Sequence, residues 1–123
     1  MARTVLIVED NALNLKFFDD LLQANGYDTM PARDGEEALA LLAGQRPDLV
    51  LLDLRLPGMS GFDVVTLLKA DATLKSIPVV AVTALTLRED EARLRAAGCD
   101  GYLKKPVTAK LLLDTVAEMT ARI

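Results

Sequence analysis

Short apolar runs alternate with helical patterns along the chain, and this alternation constrains the fold more than any other feature. Residues 5–8, 49–52 and 79–82 are continuously apolar, which is typical of strands that are buried on both faces. Residues 27–32 form a weaker run that predicts an edge strand, and residues 101–103 predict a short last strand. The pattern therefore predicts five strands.

Five helical patterns lie between and after these runs. The first starts near Ala12 and the fourth opens at Thr86. The second, third and fifth directly follow Asp34, Ser60 and Thr108. Regular alternation of apolar strands and helices predicts a parallel sheet with helices on both faces. A strand, a helix and two short loops take about 25 residues. Five such units account for the 123 residues, so we expect residues 1–123 to form a single domain with no output domain.

The composition excludes several classes of function. The chain has no histidine, which rules out a Ser-His-Asp triad and histidine ligation within it. Its single cysteine, Cys99, rules out an internal disulfide and a CxxC metal site. Fourteen basic and 18 acidic side chains give a net charge of −4, which argues against a nucleic-acid partner. The longest apolar run, residues 38–43, is too short to span a membrane, so a cytoplasmic location is expected.

Polar side chains stand at the predicted carboxyl ends of the strands, where open parallel sheets bind their ligands. Glu9 and Asp10 follow the first strand, and Asp53 follows the third. Thr83 ends the fourth strand, and Lys105 follows the fifth. If these strands are neighbours, three carboxylates, a hydroxyl and an ammonium group meet at one edge. Asp53 is the most informative of them, because an ionised carboxylate at a buried strand end needs a partner.

Each of these residues taken alone also has an ordinary structural explanation. Asp10 suits the N-cap of the first helix, and Glu9 is typical of a solvated loop. Thr83 is typical of a strand end bonded to nearby backbone, and Lys105 of surface charge. Together they indicate more, since clustered carboxylates repel unless a divalent cation such as Mg²⁺ or Mn²⁺ neutralises them. The set would stabilise a phosphoryl group that carries three charged oxygens.

The segments around these residues resemble the receiver domains of bacterial two-component response regulators over essentially the whole chain. The matching segments are residues 5–11, 47–61, 77–84 and 101–106. Residues 9–16, 78–84 and 98–99 are most similar to the stand-alone DivK-type regulators of alphaproteobacterial cell-cycle control. The resemblance implies a flavodoxin-like (βα)5 fold whose parallel sheet has the strand order 2-1-3-4-5.

The resemblance also implies a metal-dependent phosphorylation site. Asp53 would be the phosphoacceptor. Asp10 and Asp53 would bind Mg²⁺ through their side chains, with the backbone carbonyl of Arg55 as a third ligand. Glu9 would act through a metal-bound water.

The remaining site residues are assigned by the same resemblance. Thr83 and Lys105 would contact phosphoryl oxygens, and the Lys105–Pro106 bond would be cis. On phosphorylation, Thr83 would move toward the phosphoryl group and Tyr102 would turn inward, changing the face of helix four, strand five and helix five. Tyr102 has an alternative explanation as a half-buried strand residue with its hydroxyl in water. Leu85 would shield the phosphoryl group and slow its hydrolysis.

The missing histidine is then expected on a partner. The phosphoryl donor would be a phosphohistidine of a sensor histidine kinase or a histidine phosphotransfer protein, and a downstream protein would bind the changed face. Helix one has more apolar residues than one buried stripe needs, so some of them are expected to be exposed. The resemblance implies that the start of this helix docks the helical bundle of the phosphoryl donor protein, and Asn14 and Phe17 are predicted at that contact. The alternative is that all of its apolar residues belong to the core.

The sequence thus predicts a single-domain response regulator of a phosphorelay that is not a dedicated enzyme. Three alternatives remain open. The chain could be a receiver excised from a hybrid kinase or a receiver–output protein. It could be a Mg²⁺-dependent aspartyl phosphatase, or a flavin-binding electron carrier, although Glu9 and Asp10 would repel the flavin phosphate.

Overall fold

The computed structural model of the chain describes residues 2–84 and 88–121. Strands and helices alternate strictly, as the apolar pattern predicts. The elements are β1 (Thr4–Val8), α1 (Ala12–Ala24), β2 (Asp28–Ala32), α2 (Gly35–Leu42), β3 (Leu49–Asp53), α3 (Gly61–Ala70), β4 (Val79–Thr83), α4 (Arg88–Ala97), β5 (Gly101–Lys104) and α5 (Ala109–Ala121). The predicted start of the fourth helix at Thr86 and the predicted shielding residue Leu85 lie outside the described residues.

The five strands form one parallel sheet in the order β2-β1-β3-β4-β5. This order confirms the predicted fold, with the weakly apolar β2 at one edge and the short β5 at the other. Val8 lies beside Leu52, and Thr83 lies beside Lys104. The strands β1, β3, β4 and β5 therefore end at a similar level, and the residues that follow them share one edge of the sheet.

Two apolar layers cover the sheet, because successive residues of a strand point to opposite faces. Val5 and Ile7 of β1 belong to a cluster that includes Phe18 of α1 and Leu112 of α5. Leu6 and Val8 belong to the other cluster, with the buried residues of α2 and α3. This double burial explains why the central strands are continuously apolar instead of alternating.

Polar caps fix where the helices begin. The side chains of Asp34 and Ser60 accept hydrogen bonds from backbone N–H groups in the first turns of α2 and α3, which confirms both predicted starts. The cap of α1 is Asn11, whose side chain accepts from the backbone N–H of Asn14 at 3.0 Å. The N-cap explanation of Asp10 is therefore wrong, and its carboxylate is left at the edge of the sheet. Within the described ranges, we find no helix with the length and apolarity needed to cross a bilayer.

Candidate functional site

Three carboxylates meet at the carboxyl edge of the sheet. Glu9 and Asp10 follow β1, and Asp53 is the last residue of β3. One carboxylate oxygen of each lies within 4.8 Å of the corresponding oxygens of the other two. Glu9 is 1% exposed and Asp53 is 4% exposed, whereas Asp10 is open to solvent. The expectation of a solvated Glu9 is therefore wrong, and the predicted clustering is confirmed.

Lys105 points its ammonium group into this cluster. Its Nζ lies 3.0 Å from Asp53 Oδ2 and 3.4 Å from Glu9 Oε2, so the interpretation of Lys105 as surface charge is wrong. The Lys105–Pro106 bond is cis, as the resemblance implies. Lys105 contacts two of the three carboxylates, and the three carboxylates together with this one ammonium group carry an excess of two negative charges when all are ionised.

The two oxygens of Asp53 have different partners. Oδ1 accepts from the backbone N–H of Arg55 at 2.9 Å, and Oδ2 contacts Lys105. The loop after β3 also packs closely, because a Cβ on Gly61 would lie 2.6 Å from the Asp53 carbonyl oxygen and from Leu54 Cα. Only glycine fits there without a backbone shift, so the first residue of α3 helps to hold the Asp53 backbone.

Burial and charge change the proton affinity of the cluster. Burial, followed by the hydrogen bond and charge of Asp53, raises the pKa of Glu9 from 4.5 to about 7, against the opposing effects of Lys105 and Asn14. Burial alone would lower the pKa of Lys105, but the hydrogen bond and charge of Asp53 and then the charge of Glu9 raise it overall. Glu9 therefore holds its proton to a higher pH than an exposed carboxyl group does.

The donor set fits a hard divalent cation. All three candidate side-chain ligands are carboxylates, and they line an open cavity of about 490 Å³ that leaves room for water. Mg²⁺ is bound in proteins by a few carboxylates and keeps several waters. Arg55 lines the same cavity, although the contact that the structure shows is its N–H on Asp53. The role of its carbonyl as a ligand stays a prediction.

Thr83 and Tyr102 occupy the β4–β5 side of the edge. Thr83 is buried at the end of β4, and its carbonyl accepts from the N–H of Lys105 at 2.8 Å. Tyr102 is 41% exposed, and its hydroxyl donates to Glu91 Oε1 of α4 at 2.7 Å. This hydrogen bond, then burial and the charge of Glu91, raise the pKa of Tyr102. Sequence reasoning missed Glu91, because no local pattern indicates which residue of α4 faces β5.

The first turns of α1 carry exposed apolar side chains. Leu13 is 79% exposed and Phe17 is 41% exposed, whereas Phe18 and Leu22 are buried. The explanation that every apolar residue of this helix belongs to the core is therefore wrong. A groove of about 380 Å³ runs beside this helix. Its lining consists of Asn14, Phe17, Phe18, Lys105, Pro106 and Val107.

Asn14 also faces the acidic cluster. Its side-chain amide donates to Glu9 Oε1 at 3.4 Å, and it lines both the groove and the acidic cavity. Sequence reasoning placed Asn14 at a partner contact and missed this hydrogen bond. The spacing of five residues between Glu9 and Asn14 indicates this hydrogen bond only when the start of α1 is known.

Comparison with known proteins identifies relatives of the whole chain. Residues 5–117 match the family model described as the response regulator receiver domain. The polar-differentiation response regulator DivK of Brucella anthropi is 47% identical over 116 residues, which is 94% of each chain.

Solved structures show the same architecture. The chemotaxis response regulator CheY4 of Vibrio cholerae superimposes with a TM-score of 0.92 at 31% identity, covering 97% of this chain and 99% of its own. The receiver domain of sensor histidine kinase PA1611 from Pseudomonas aeruginosa gives a TM-score of 0.89 at 29% identity, covering 98% and 99%. That structure is described with a magnesium ion coordinated in the active site cleft.

Proposed function

The chain belongs to the response regulator receiver family, and on that premise we propose that Asp53 accepts a phosphoryl group from a phosphohistidine of a partner protein in a Mg²⁺-dependent reaction. One observation carries the proposal. The carboxylate of Asp53 is buried and is held between the Arg55 N–H and Lys105, beside two further carboxylates. Burying these charged groups together costs stability, and a bound cation with an anionic phosphoryl group would offset that cost.

In the proposed transfer, a carboxylate oxygen of Asp53 attacks phosphorus as the P–N bond to the partner's imidazole breaks. The imidazole leaves with the bond electrons and takes up a proton, and Asp53 becomes an acyl phosphate that water later hydrolyses. The chain therefore needs no histidine of its own. Such a receiver assists its own phosphorylation and dephosphorylation without being a dedicated enzyme.

Mg²⁺ would be held by Asp10 and Asp53, with the Arg55 carbonyl as a third ligand and Glu9 acting through a water. When bound, it would supply positive charge to the phosphoryl oxygens and offset the repulsion between Asp53 and the incoming phosphate. The three carboxylate oxygens within 4.8 Å of one another support this assignment.

Lys105 and Thr83 would bind the transferred group. The ammonium group of Lys105 lies 3.0 Å from Asp53 Oδ2, so it can reach a phosphoryl oxygen on that carboxylate with little movement. Thr83 ends the neighbouring strand, next to the small Ala84 that lines the cavity. Its hydroxyl would donate to a second phosphoryl oxygen.

The signal would leave through the face formed by α4, β5 and α5. Movement of Thr83 toward the phosphoryl group would favour an inward Tyr102, and an inward ring would have to leave its hydrogen bond with Glu91. The equilibrium between outward and inward Tyr102 would then set the affinity for a downstream protein. The exposed Leu111 of α5 supplies apolar surface on this face.

The phosphoryl donor would dock at the other side of the site, along α1. The groove that contains Asn14 and Phe17 borders Lys105, so a helical partner seated there would bring its phosphohistidine close to Asp53. Leu13, which is 79% exposed, would extend the apolar contact. The partner would be a sensor histidine kinase or a histidine phosphotransfer protein.

The test is phosphorylation of the purified protein by acetyl phosphate and Mg²⁺, followed by intact mass and by gel mobility in a phosphate-binding gel. We expect the wild type to gain one phosphoryl group, and expect none in Asp53→Asn or in the presence of EDTA. Asp20→Asn, an exposed carboxylate on α1, is the matched control and should label normally. Persistent labelling of Asp53→Asn would overturn the assignment.

A further inference from the structure

We propose that Asn14 is a positioning residue of the phosphorylation site, whose side-chain amide holds the Glu9 carboxylate in the geometry that binds Mg²⁺. The inference rests on the proposed function and deepens it. Asn14 would act on the reaction even when no protein partner is present, in addition to lining the docking groove.

The first turn of α1 supplies two donors to one oxygen of Glu9. The side-chain amide of Asn14 and the backbone N–H of Asn11 each lie 3.4 Å from Glu9 Oε1. Asn11 in turn accepts from the backbone N–H of Asn14 at 3.0 Å, so the helix cap orients the residue that carries the amide. Oε2 of Glu9 is the oxygen closer to Lys105, at 3.4 Å.

These donors matter because Glu9 is 1% exposed. A buried carboxylate has little access to water, so protein groups must supply the hydrogen bonds that fix its orientation. Lys105 is one such group, but its charge also opposes a nearby cation. The amide of Asn14 is neutral, so it orients the Glu9 carboxylate without repelling Mg²⁺. Groups that hold metal-binding side chains in place commonly contribute a factor of about 10–100 to metal affinity.

Asn14 has two candidate roles, partner docking in the groove and positioning of Glu9 in the acidic cavity. Phe17 lies in the groove three residues further along α1, and it does not line the acidic cavity. Asn14 lines both. A residue that only contacts the partner should leave Mg²⁺ binding untouched, whereas a residue that positions Glu9 should change it.

The experiment compares Asn14→Ala and Asn14→Leu with Asp20→Asn, an exposed residue of the same helix. Mg²⁺ affinity is measured by isothermal titration calorimetry, and the rate of labelling by acetyl phosphate is measured over a range of Mg²⁺ concentrations. We expect both Asn14 variants to raise the Kd for Mg²⁺ about tenfold and to recover most of the labelling rate at saturating Mg²⁺. Asp20→Asn should bind Mg²⁺ as the wild type does. Alanine and leucine favour helices more than asparagine does, and thermal unfolding without Mg²⁺ checks that each variant is folded.

Asn14→Gln keeps the amide donor on a longer side chain and should restore part of the lost affinity. If the wild type labels at Asp53 but the folded Asn14→Ala and Asn14→Leu bind Mg²⁺ with wild-type affinity, the inference is overturned and Asn14 is a docking residue only. If the wild type neither labels nor binds Mg²⁺, it is the proposed function that fails. The two failures are therefore distinguishable.

Discussion

Two lysine–carboxylate clusters lie at opposite edges of the sheet, and they are built differently. Near the amino ends of β4 and β5, Lys69 of α3 donates to the carbonyl oxygens of Lys75 and Ile77 and to Asp100 Oδ2, at 2.9 to 3.1 Å. The same oxygen of Asp100 accepts from the backbone N–H of Val79 at 2.8 Å. One positive charge meets one negative charge there, and backbone groups complete the hydrogen bonds.

The cluster at the carboxyl edge lacks that balance. Lys105 faces Glu9 and Asp53, and Asp10 adds a third carboxylate. Burial, and after it the hydrogen bond and charge of Asp53, raises the pKa of Glu9, so part of this shift reflects the neighbouring negative charge. The two clusters differ in charge balance more than in hydrogen-bond distance, and this balance is what we use to separate a cluster that stabilises the fold from one proposed to bind an ion.

Breaking the balanced cluster should have the largest effect on stability. Lys69→Met removes the donor of the Lys75 and Ile77 carbonyl oxygens, while Asp100 keeps the Val79 N–H and loses its counter-charge. Because three hydrogen bonds to a charged group are lost, we expect the free energy of unfolding to fall by about 3 kcal/mol. Urea unfolding measures this change. Labelling by acetyl phosphate and Mg²⁺ affinity of the folded variant should match the wild type. A weakened Mg²⁺ affinity in this variant would erase the distinction between the two clusters.

Filling the unbalanced cluster should have the next largest effect. Mg²⁺ at 100 times its Kd should raise the free energy of unfolding by about 2.7 kcal/mol, because the ion binds only the folded state. Thermal or urea unfolding with Mg²⁺ and with EDTA measures the difference. Lys69→Met should gain as much as the wild type, and Asp53→Asn should gain much less. An equal gain in Asp53→Asn would place the cation elsewhere.

The pH dependence of stability should also distinguish the clusters. Folding raises the pKa of Glu9 from 4.5 to about 7, so the folded protein holds a proton that the unfolded chain has released. This contribution is complete below pH 4.5 and is lost as the pH rises through about 7. In EDTA, we expect the free energy of unfolding to fall by roughly 2 kcal/mol between pH 5 and 8.

Urea unfolding at each pH measures that slope. Glu9→Gln has no carboxylate to titrate and should show a much flatter profile over the same range. A wild-type stability that rises from pH 5 to 8 would contradict the assigned pKa direction.

The smallest effect is expected from breaking a short ion pair on the surface. Lys110 Nζ lies 2.7 Å from Asp114 Oδ2, closer than either lysine of the two clusters lies to its carboxylate, but both side chains are largely exposed. Water and salt screen such a pair. Lys110→Ala should therefore leave the unfolding midpoint, the Mg²⁺ affinity and the labelling rate within experimental error. A clear fall in the unfolding midpoint would show that the distance between the charges determines the strength of an ion pair more than burial and charge balance do.

Much of the fold follows from local sequence. The apolar runs predict the strands, because a strand buried on both faces needs no polar alternation, and the cap residues Asp34 and Ser60 place the starts of two helices. The cap of α1 is less certain from sequence, because Asp10 and Asn11 are neighbouring residues with similar capping ability. Only the geometry of the turn shows that Asn11 takes the role.

The sequence predicts those residues of the candidate site that stand at the ends of strands. Glu9, Asp10, Asp53 and Lys105 are brought together because parallel strands of similar length end at the same edge, and Thr83 reaches that edge by the same register. Contacts between a helix side chain and another element are different. The bonds of Asn14 with Glu9 and of Tyr102 with Glu91 depend on how α1 and α4 are rotated against the sheet.

By itself, the sequence determined the order of the elements, the residues at the carboxyl edge and the absence of histidine chemistry. The reason is that periodicity, strand length and composition are local properties of the chain. The tertiary structure alone decided which of the two lysine clusters is balanced, which side of α1 is exposed and which partners hold Glu9 and Tyr102. Those properties depend on distances between residues that are far apart in the chain, and on how much water the packing leaves around each charge.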